Sequence, residues 1–305
     1  MPNALQLAAI TVLCAGTAAA HAELAFDANL EFDNTYTNKV SAPNTNARDS
    51  DLTMGGRVEL NAASKGFNGD AFVAARASLL LKKDSETAVD DMWVQFGNAA
   101  MDVKLGRFEA MDLFPVGKDT VLEEAGYSAY KANALRGRFK GDSFHGALGF
   151  NAGPGIRLEV GVVHSNDTGN VKGLRPAVSY NAGPLTFRAG LESVKTVDSG
   201  TGSDTGVGLS VGYAMSSDSN LNVNFAKKED DKAFGVNATF GPAGLGLVYG
   251  KGATSAEKVT TVYAAYTMPL FGVKGASVTP ALSFSKGGTG TDNQVAARVR
   301  INYAF

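Results

Sequence analysis

The sequence predicts an all-β fold: a sixteen-stranded antiparallel β-barrel that crosses a membrane, with a long third loop folded inward. Three observations predict it. Nearly every segment after residue 22 alternates apolar and polar residues with a period of two. The connectors alternate between two kinds, tight Gly/Pro turns and longer polar loops. An aromatic residue recurs at the same end of nearly every second strand. The 305-residue chain carries a net charge of −2, so nothing in it attracts nucleic acid or another polyanion.

Residues 1–22, MPNALQLAAITVLCAGTAAAHA, form an apolar stretch ending in Ala20-His21-Ala22. This reads as a cleaved signal peptide, although no Lys or Arg precedes the apolar core. Residues 23–305 are then the barrel domain. Cys14 is the only cysteine, and Leu13 before it argues against a lipid anchor. Cleavage leaves no thiol for a disulfide or a thiolate metal site. Beyond residue 22 no apolar run has the length of a transmembrane helix, so any membrane crossing must use a closed barrel, in which every backbone group is paired.

In the first strand Leu24, Phe26, Ala28, Leu30 and Phe32 oppose Asp27, Asn29, Glu31 and Asp33. Residues 51–63 and 70–82 alternate likewise, the latter with Ala71, Val73, Ala75, Ala77, Leu79 and Leu81 on one face. Further strands are expected near 89–97, 101–107, 132–150, 156–164, 173–181, 185–194, 206–214, 221–228, 232–240, 245–251, 258–267, 276–285 and 294–305. Splitting 132–150 at Gly141-Asp142 would make an odd number and put the look-alike turns NAGPG and NAGPL on opposite sides. Treating Gly141-Asp142 as a bulge gives sixteen. The strands running toward the periplasm then end on outward rings: Phe96, Phe150, Tyr180, Tyr213, Phe240, Tyr266, Tyr303 and Phe305. The strand ending near Leu60 is the exception. Rings belong at a membrane interface, where one edge is apolar and the other wet.

One connector is far longer than the rest. After VKLGR the chain runs FEAMDLFPVGKDTVLEEAGYSAYKA. It mixes Phe108, Met111, Leu113, Phe114, Val121, Leu122, Tyr127 and Tyr130 with Glu109, Asp112, Asp119, Glu123 and Glu124. Acids cannot be buried unpaired, so the segment suits a loop folded back into a water-filled barrel. Inward positions of the wall carry Arg57, Arg76, Lys82, Lys104, Arg136, Arg138, Arg157, Arg175, Arg188, Arg298 and Arg300, and Arg107 stands where wall meets loop. Charged rings set which ions pass a pore.

The run DDMWVQFGNAAMDVKLGR, the acidic loop after it and the closing strand ending Tyr-Ala-Phe resemble the trimeric sixteen-stranded porins of proteobacteria. Asp91-Met92-Trp93 looks nearer to the carbohydrate-porin branch. The resemblance implies an outer-membrane channel for passive diffusion of small hydrophilic solutes, ions and sugars. It implies a homotrimer set in lipid and lipopolysaccharide. Tyr303 and Phe305 become an assembly signal read by the barrel-assembly machinery. It makes Glu109, Asp112, Asp119, Glu123 and Glu124 the acids of the pore constriction. Arg57, Arg76, Lys104, Arg107, Arg136 and Arg138 become the basic wall. The loop departs from enterobacterial members, with LFPVGKD where they carry Pro-Glu-Phe-Gly-Gly.

Other chemistry finds little support. After residue 22 the histidines are His145 and His164, with no nucleophile motif around them. No metal-ligand spacing occurs, and the Gly-rich runs TGSDTGVG and GGTGTDN lack the Lys-Ser or Lys-Thr of a phosphate loop. No cofactor or metal is expected. Trp93, the single tryptophan, points inward, either to stack on a sugar or to pack under the loop; packing is the stronger reading. The alternatives to a pore are a non-conducting structural or adhesion barrel and an outer-membrane barrel hydrolase.

Overall fold

The structure, a computed structural model, describes residues 23–40, 47–118, 120–139, 141–166, 170–196, 203–254, 256–288 and 292–305. The signal segment at 1–22 lies outside them. The strands are β1 (Glu23–Val40), β2 (Arg48–Asn68), β3 (Ala71–Lys82), β4 (Thr87–Gly97), β5 (Met101–Arg107), β6 (Ser143–Gly153), β7 (Ile156–Ser165) and β8 (Val171–Ala182). There follow β9 (Leu185–Thr196), β10 (Ser203–Ala214), β11 (Ser219–Lys228), β12 (Asp231–Phe240), β13 (Ala243–Lys251), β14 (Lys258–Tyr266), β15 (Met268–Pro269), β16 (Ala276–Gly287) and β17 (Asp292–Ala304). Sequential strands pair antiparallel throughout, and β14 and β15 both pair with β16. They are one stave interrupted at Thr267, so the wall has the expected sixteen staves. β1 pairs with both β2 and β17, which closes the barrel. The last residue completes the seam: Phe305 N–H donates to Ala28 O (2.9 Å), and Ala28 N–H donates to Phe305 O (2.8 Å).

The barrel is inside out relative to a water-soluble domain. On β10 and β11 Leu209, Val211, Tyr213, Leu221, Val223 and Phe225 are exposed, whereas Ser210 and Asn224 are buried. The period of two predicts this, with one face toward hydrocarbon and the other toward the lumen. The rings expected at one rim are all exposed, from Phe96 and Phe150 round to Tyr303 and Phe305. Turns at this rim are tight because Gly69, Gly155, Gly183 and Gly241 take positive φ.

Two local features depart from strict alternation. Between β3 and β4, Ala77 pairs with Met92 and Leu79 with Val89, so Ser78 stands opposite both Asp90 and Asp91. This bulge turns two consecutive carboxylates to the lumen. The second departure corrects the strand expected over 132–150. β6 starts only at Ser143; residues 132–139 belong to the returning limb of the long loop. Ala132, Gly137, Arg138 and Gly141 all have positive φ, which a strand cannot accommodate. A single bridge, Glu109 to Gly137, holds this limb beside the outgoing one. The stave count survives because the loop, not the strand, absorbs those residues.

Candidate pore constriction

The loop between β5 and β6 enters the lumen and lies against one arc of the wall. Its apolar residues make that contact. Leu113, Phe114, Ala129 and Ala132 pack on Ala177, Ala226, Ala233, Val248, Val259 and Tyr263. Val121 packs on Ala265, Ala281 and Ala296, and Phe108 and Ala110 on Ala147 beside Trp93. The wall is shaped for this. A methyl group at Gly190 would come within 2.6 Å of Leu113 Cδ1, one at Gly208 within 2.6 Å of Ala132 Cβ, and one at Gly235 within 2.9 Å of the Phe114 ring. Small residues from β6 to β17 thus form a shelf on which the loop rests. Each large side chain buried there contributes about 1.5–3 kcal/mol.

A buried ion pair fastens the loop to this shelf. Arg175 on β8 and Glu192 on β9 are both fully buried, with Arg175 Nε donating to Glu192 Oε1 at 3.0 Å. Arg175 Nη2 also donates to Met111 O (2.8 Å) on the outgoing limb and Ala132 O (3.3 Å) on the returning one. Glu192 accepts from the Ala134 and Leu135 amides and from the Tyr130 hydroxyl (3.1, 3.0 and 2.7 Å). Glu159 accepts the Met111 amide at 2.8 Å. Two wall charges therefore hold both limbs. With these bonds, and with Arg175 Nη1 4.0 Å from Glu159, the pair is tolerated in the interior; with one partner removed it would not be. Sequence reasoning placed Arg175 inward but missed Glu192, whose only signal was its inward parity on β9.

The predicted site residues divide into groups. Glu109 and Asp112 face the lumen and share Arg136 Nη2 at 3.0 and 3.5 Å. Glu123 accepts from Gln294 at 3.3 Å on β17. Glu124 turns inward on its own loop, bonding Lys131 and the Ala129 amide. Asp119 lies outside the described residues. Arg136 and Arg138 are a correction: they sit on the loop's returning limb, not on the wall. Arg138 reaches back to the bulge, 3.1 Å from Asp90 and 3.2 Å from Asp91. Arg107 is spent on the loop root, donating to the carbonyls of Val89, Arg138 and Phe139. Lys104 lies over the Trp93 ring at 4.0 Å and near the Phe108 ring at 4.8 Å. That face of Trp93 is therefore covered, and the ring belongs to the packing at the loop root.

The arc opposite the loop carries Arg57 and Arg76, and it carries acids that the sequence reading did not single out. Arg57 pairs with Glu31 (2.9 Å), Arg76 with Glu59 (3.7 Å) and Asp91 (3.6 Å), and Arg300 with Asp33 (2.7 Å) and Glu31 (3.6 Å). Arg298 stands 3.9 Å from Asp33. These form a ladder of alternating charge from β17 to β4, of which Glu31, Asp33, Arg57 and Arg300 line a cavity of about 410 Å³ with Gly56 and Lys82.

Comparison with known proteins agrees with this architecture. The family model of the porin-like glycoporin RafY matches residues 20–149. An anion-selective porin from Comamonas acidovorans superposes with a TM-score of 0.67 at 16% identity, over 93% of this chain and 100% of that one. A triple mutant of the Rhodopseudomonas blastica porin gives 0.62 at 12% identity with the same coverages. No curated protein matches by sequence. A closed sixteen-stave barrel with a lumen-folded third loop defines the class by fold: the chain shares the architecture of these porins. By sequence its similarity, carried by residues 20–149 from β1 into β6, is to the porin-like glycoporin RafY.

Proposed function

We propose that the protein is a passive diffusion channel for small hydrophilic solutes, ions and sugars, with its constriction between the folded loop and the open arc of the wall. One observation carries this reading. The loop's apolar residues are buried against one arc, while Glu109, Asp112 and Arg136 on the loop and Arg57, Arg76, Arg298 and Arg300 on the opposite arc remain in the lumen. A polar solute aligns with charges of both signs, and an apolar one must displace their ordered water. Sugars enter the proposal through the glycoporin similarity. The reading includes signal cleavage before Glu23, trimer formation through the early strands with small outward Ala71, Ala75 and Ala77, and contacts with lipopolysaccharide. It also includes recognition of the Tyr303 and Phe305 rings, stacked 5.2 Å apart, by the assembly machinery. No catalytic step is part of it.

The test is conductance of the refolded protein in a planar bilayer under a salt gradient, with and without a neutral oligosaccharide. Stepwise openings in threes, reduced by sugar, are expected. A folded, heat-modifiable barrel that passes no current would overturn the channel.

A further inference from the structure

Beneath the loop, on its periplasmic side, lies a second cavity of about 1050 Å³ between the loop and staves β9 to β12, with Tyr263 of β14 at its edge. Its lining includes two cations with no carboxylate partner among the described residues. Arg188, on β9, makes no hydrogen bond or ion pair there. Lys118, on the loop, donates only to the backbone oxygens of Pro242 (2.6 Å) and Gly241 (3.4 Å). Every other cation on this lining is matched: Arg136 by Glu109 and Asp112, Arg138 by Asp90 and Asp91. Asp218, the remaining acid, accepts from the Ser216 and Ser219 hydroxyls at 2.7 and 3.1 Å.

Beside these cations stands a row of amides whose direction is fixed. The Pro115 carbonyl can only accept, and it accepts from Asn237 Nδ2 at 2.7 Å. Asn237 Oδ1 must then accept from Asn222 Nδ2, and Asn222 Nδ2 also serves Asn220 Oδ1, both at 3.0 Å. The chain ends with the Asn220 amide nitrogen free to donate and Asn222 Oδ1 free to accept. Gly212, paired across the sheet with both Thr186 and Asn222, leaves a notch between them.

We propose that this cavity is a binding subsite for sugar acids, the carboxylate drawn to Arg188 and Lys118 and the hydroxyls to Asn220, Asn222, Thr186 and Thr239. The inference rests on the channel reading and names one solute class for it. Two cations without a carboxylate partner, on a cavity lining whose other cations are matched, hold a net attraction for anions there. A neutral sugar would meet only the amides and hydroxyls. A simple inorganic anion would meet only the cations.

The experiment uses the refolded full barrel in a planar bilayer, with glucuronate or glucose added on the periplasmic side. In the wild type glucuronate is expected to interrupt the current at concentrations about tenfold lower than glucose, the worth of one charge-assisted hydrogen bond. Arg188→Gln and Lys118→Gln should each weaken glucuronate block by about that factor and leave glucose block in place. Lys274→Gln, the same charge change on an exposed periplasmic turn, should leave both unchanged. Equal block by the two sugars in the wild type, or undiminished glucuronate block in both cavity variants, would overturn the subsite while the channel stands. Chloride competing as strongly as glucuronate would reduce it to a general anion-attracting surface and overturn the sugar-acid assignment. Loss of all conductance in the wild type would instead sink the channel reading itself.

Discussion

The lumen wall is two walls. Where the loop rests on it, between β6 and β17, it is small and apolar, and the charges that hold the loop are buried: Arg175 and Glu192 expose 0% of their side chains. From β17 to β4 it is charged and open, with Arg57 and Arg76 exposing 40% and 36%. The same chemistry, an arginine against a carboxylate on neighbouring staves, therefore does two jobs. Under the loop, where solvent is excluded, the pair is structural. On the open arc water screens it, its stability contribution is small, and its charges remain available to solutes.

The largest expected effect lies in the covered pair. Glu192→Gln leaves Arg175 buried with only Glu159 at 4.0 Å, and Arg175→Met leaves Glu192 buried without its cation; each should cost about 3–5 kcal/mol. The double variant Arg175→Met/Glu192→Leu removes both charges and should recover much of that loss. Thermal unfolding followed by heat-modifiable migration reads the stability, and single-channel noise reads whether the loop is still held. A double variant no better than the sum of the singles would mean the pair is not coupled, and the covered wall would then hold the loop by packing alone.

How much of this was legible follows from what a period of two can and cannot encode. It assigned nearly every stave, because lipid and water impose unlike demands on successive residues all round the barrel. Tight Gly turns and rim aromatics then fixed the direction of each stave. Length and mixed composition revealed that the loop between Arg107 and Ser143 folds inward. Alternation misled where the chain is not a strand: Leu135, Arg136 and Arg138 mimic a stave while lying on the loop. It was blind to the bulge at Asp90 and Asp91, because it assigns consecutive residues to opposite faces. It was silent on the shelf, since Gly190, Gly208 and Gly235 are conspicuous only once Leu113, Ala132 and Phe114 are seen against them.

That shelf supplies the second prediction, intermediate in size. Gly208→Leu puts a side chain where Ala132 and Leu113 already stand. Overpacking of this kind costs about 1–3 kcal/mol. The displacement has only one direction open to it, into the lumen, so single-channel conductance should fall together with thermal stability. Unchanged conductance in a folded Gly208→Leu barrel would show that the loop does not rest on the shelf.

The smallest effect on stability should come from the open arc, together with a clear effect on permeation. Arg57→Ala removes the 2.9 Å contact to Glu31, but the pair is half in water and Arg300 also stands 3.6 Å from that carboxylate. The stability change should stay within about 1 kcal/mol. Selectivity responds differently, because Glu31 then has one cation fewer facing it and the ladder shifts toward net negative. The reversal potential in a salt gradient should move toward cations, and more strongly at low salt, where screening extends about 30 Å rather than about 10 Å. If Arg57→Ala instead destabilised the barrel as much as Glu192→Gln while leaving the reversal potential fixed, the two arcs would not differ in kind. The division of labour between a wall that holds the loop and a wall that meets the solute would then fail.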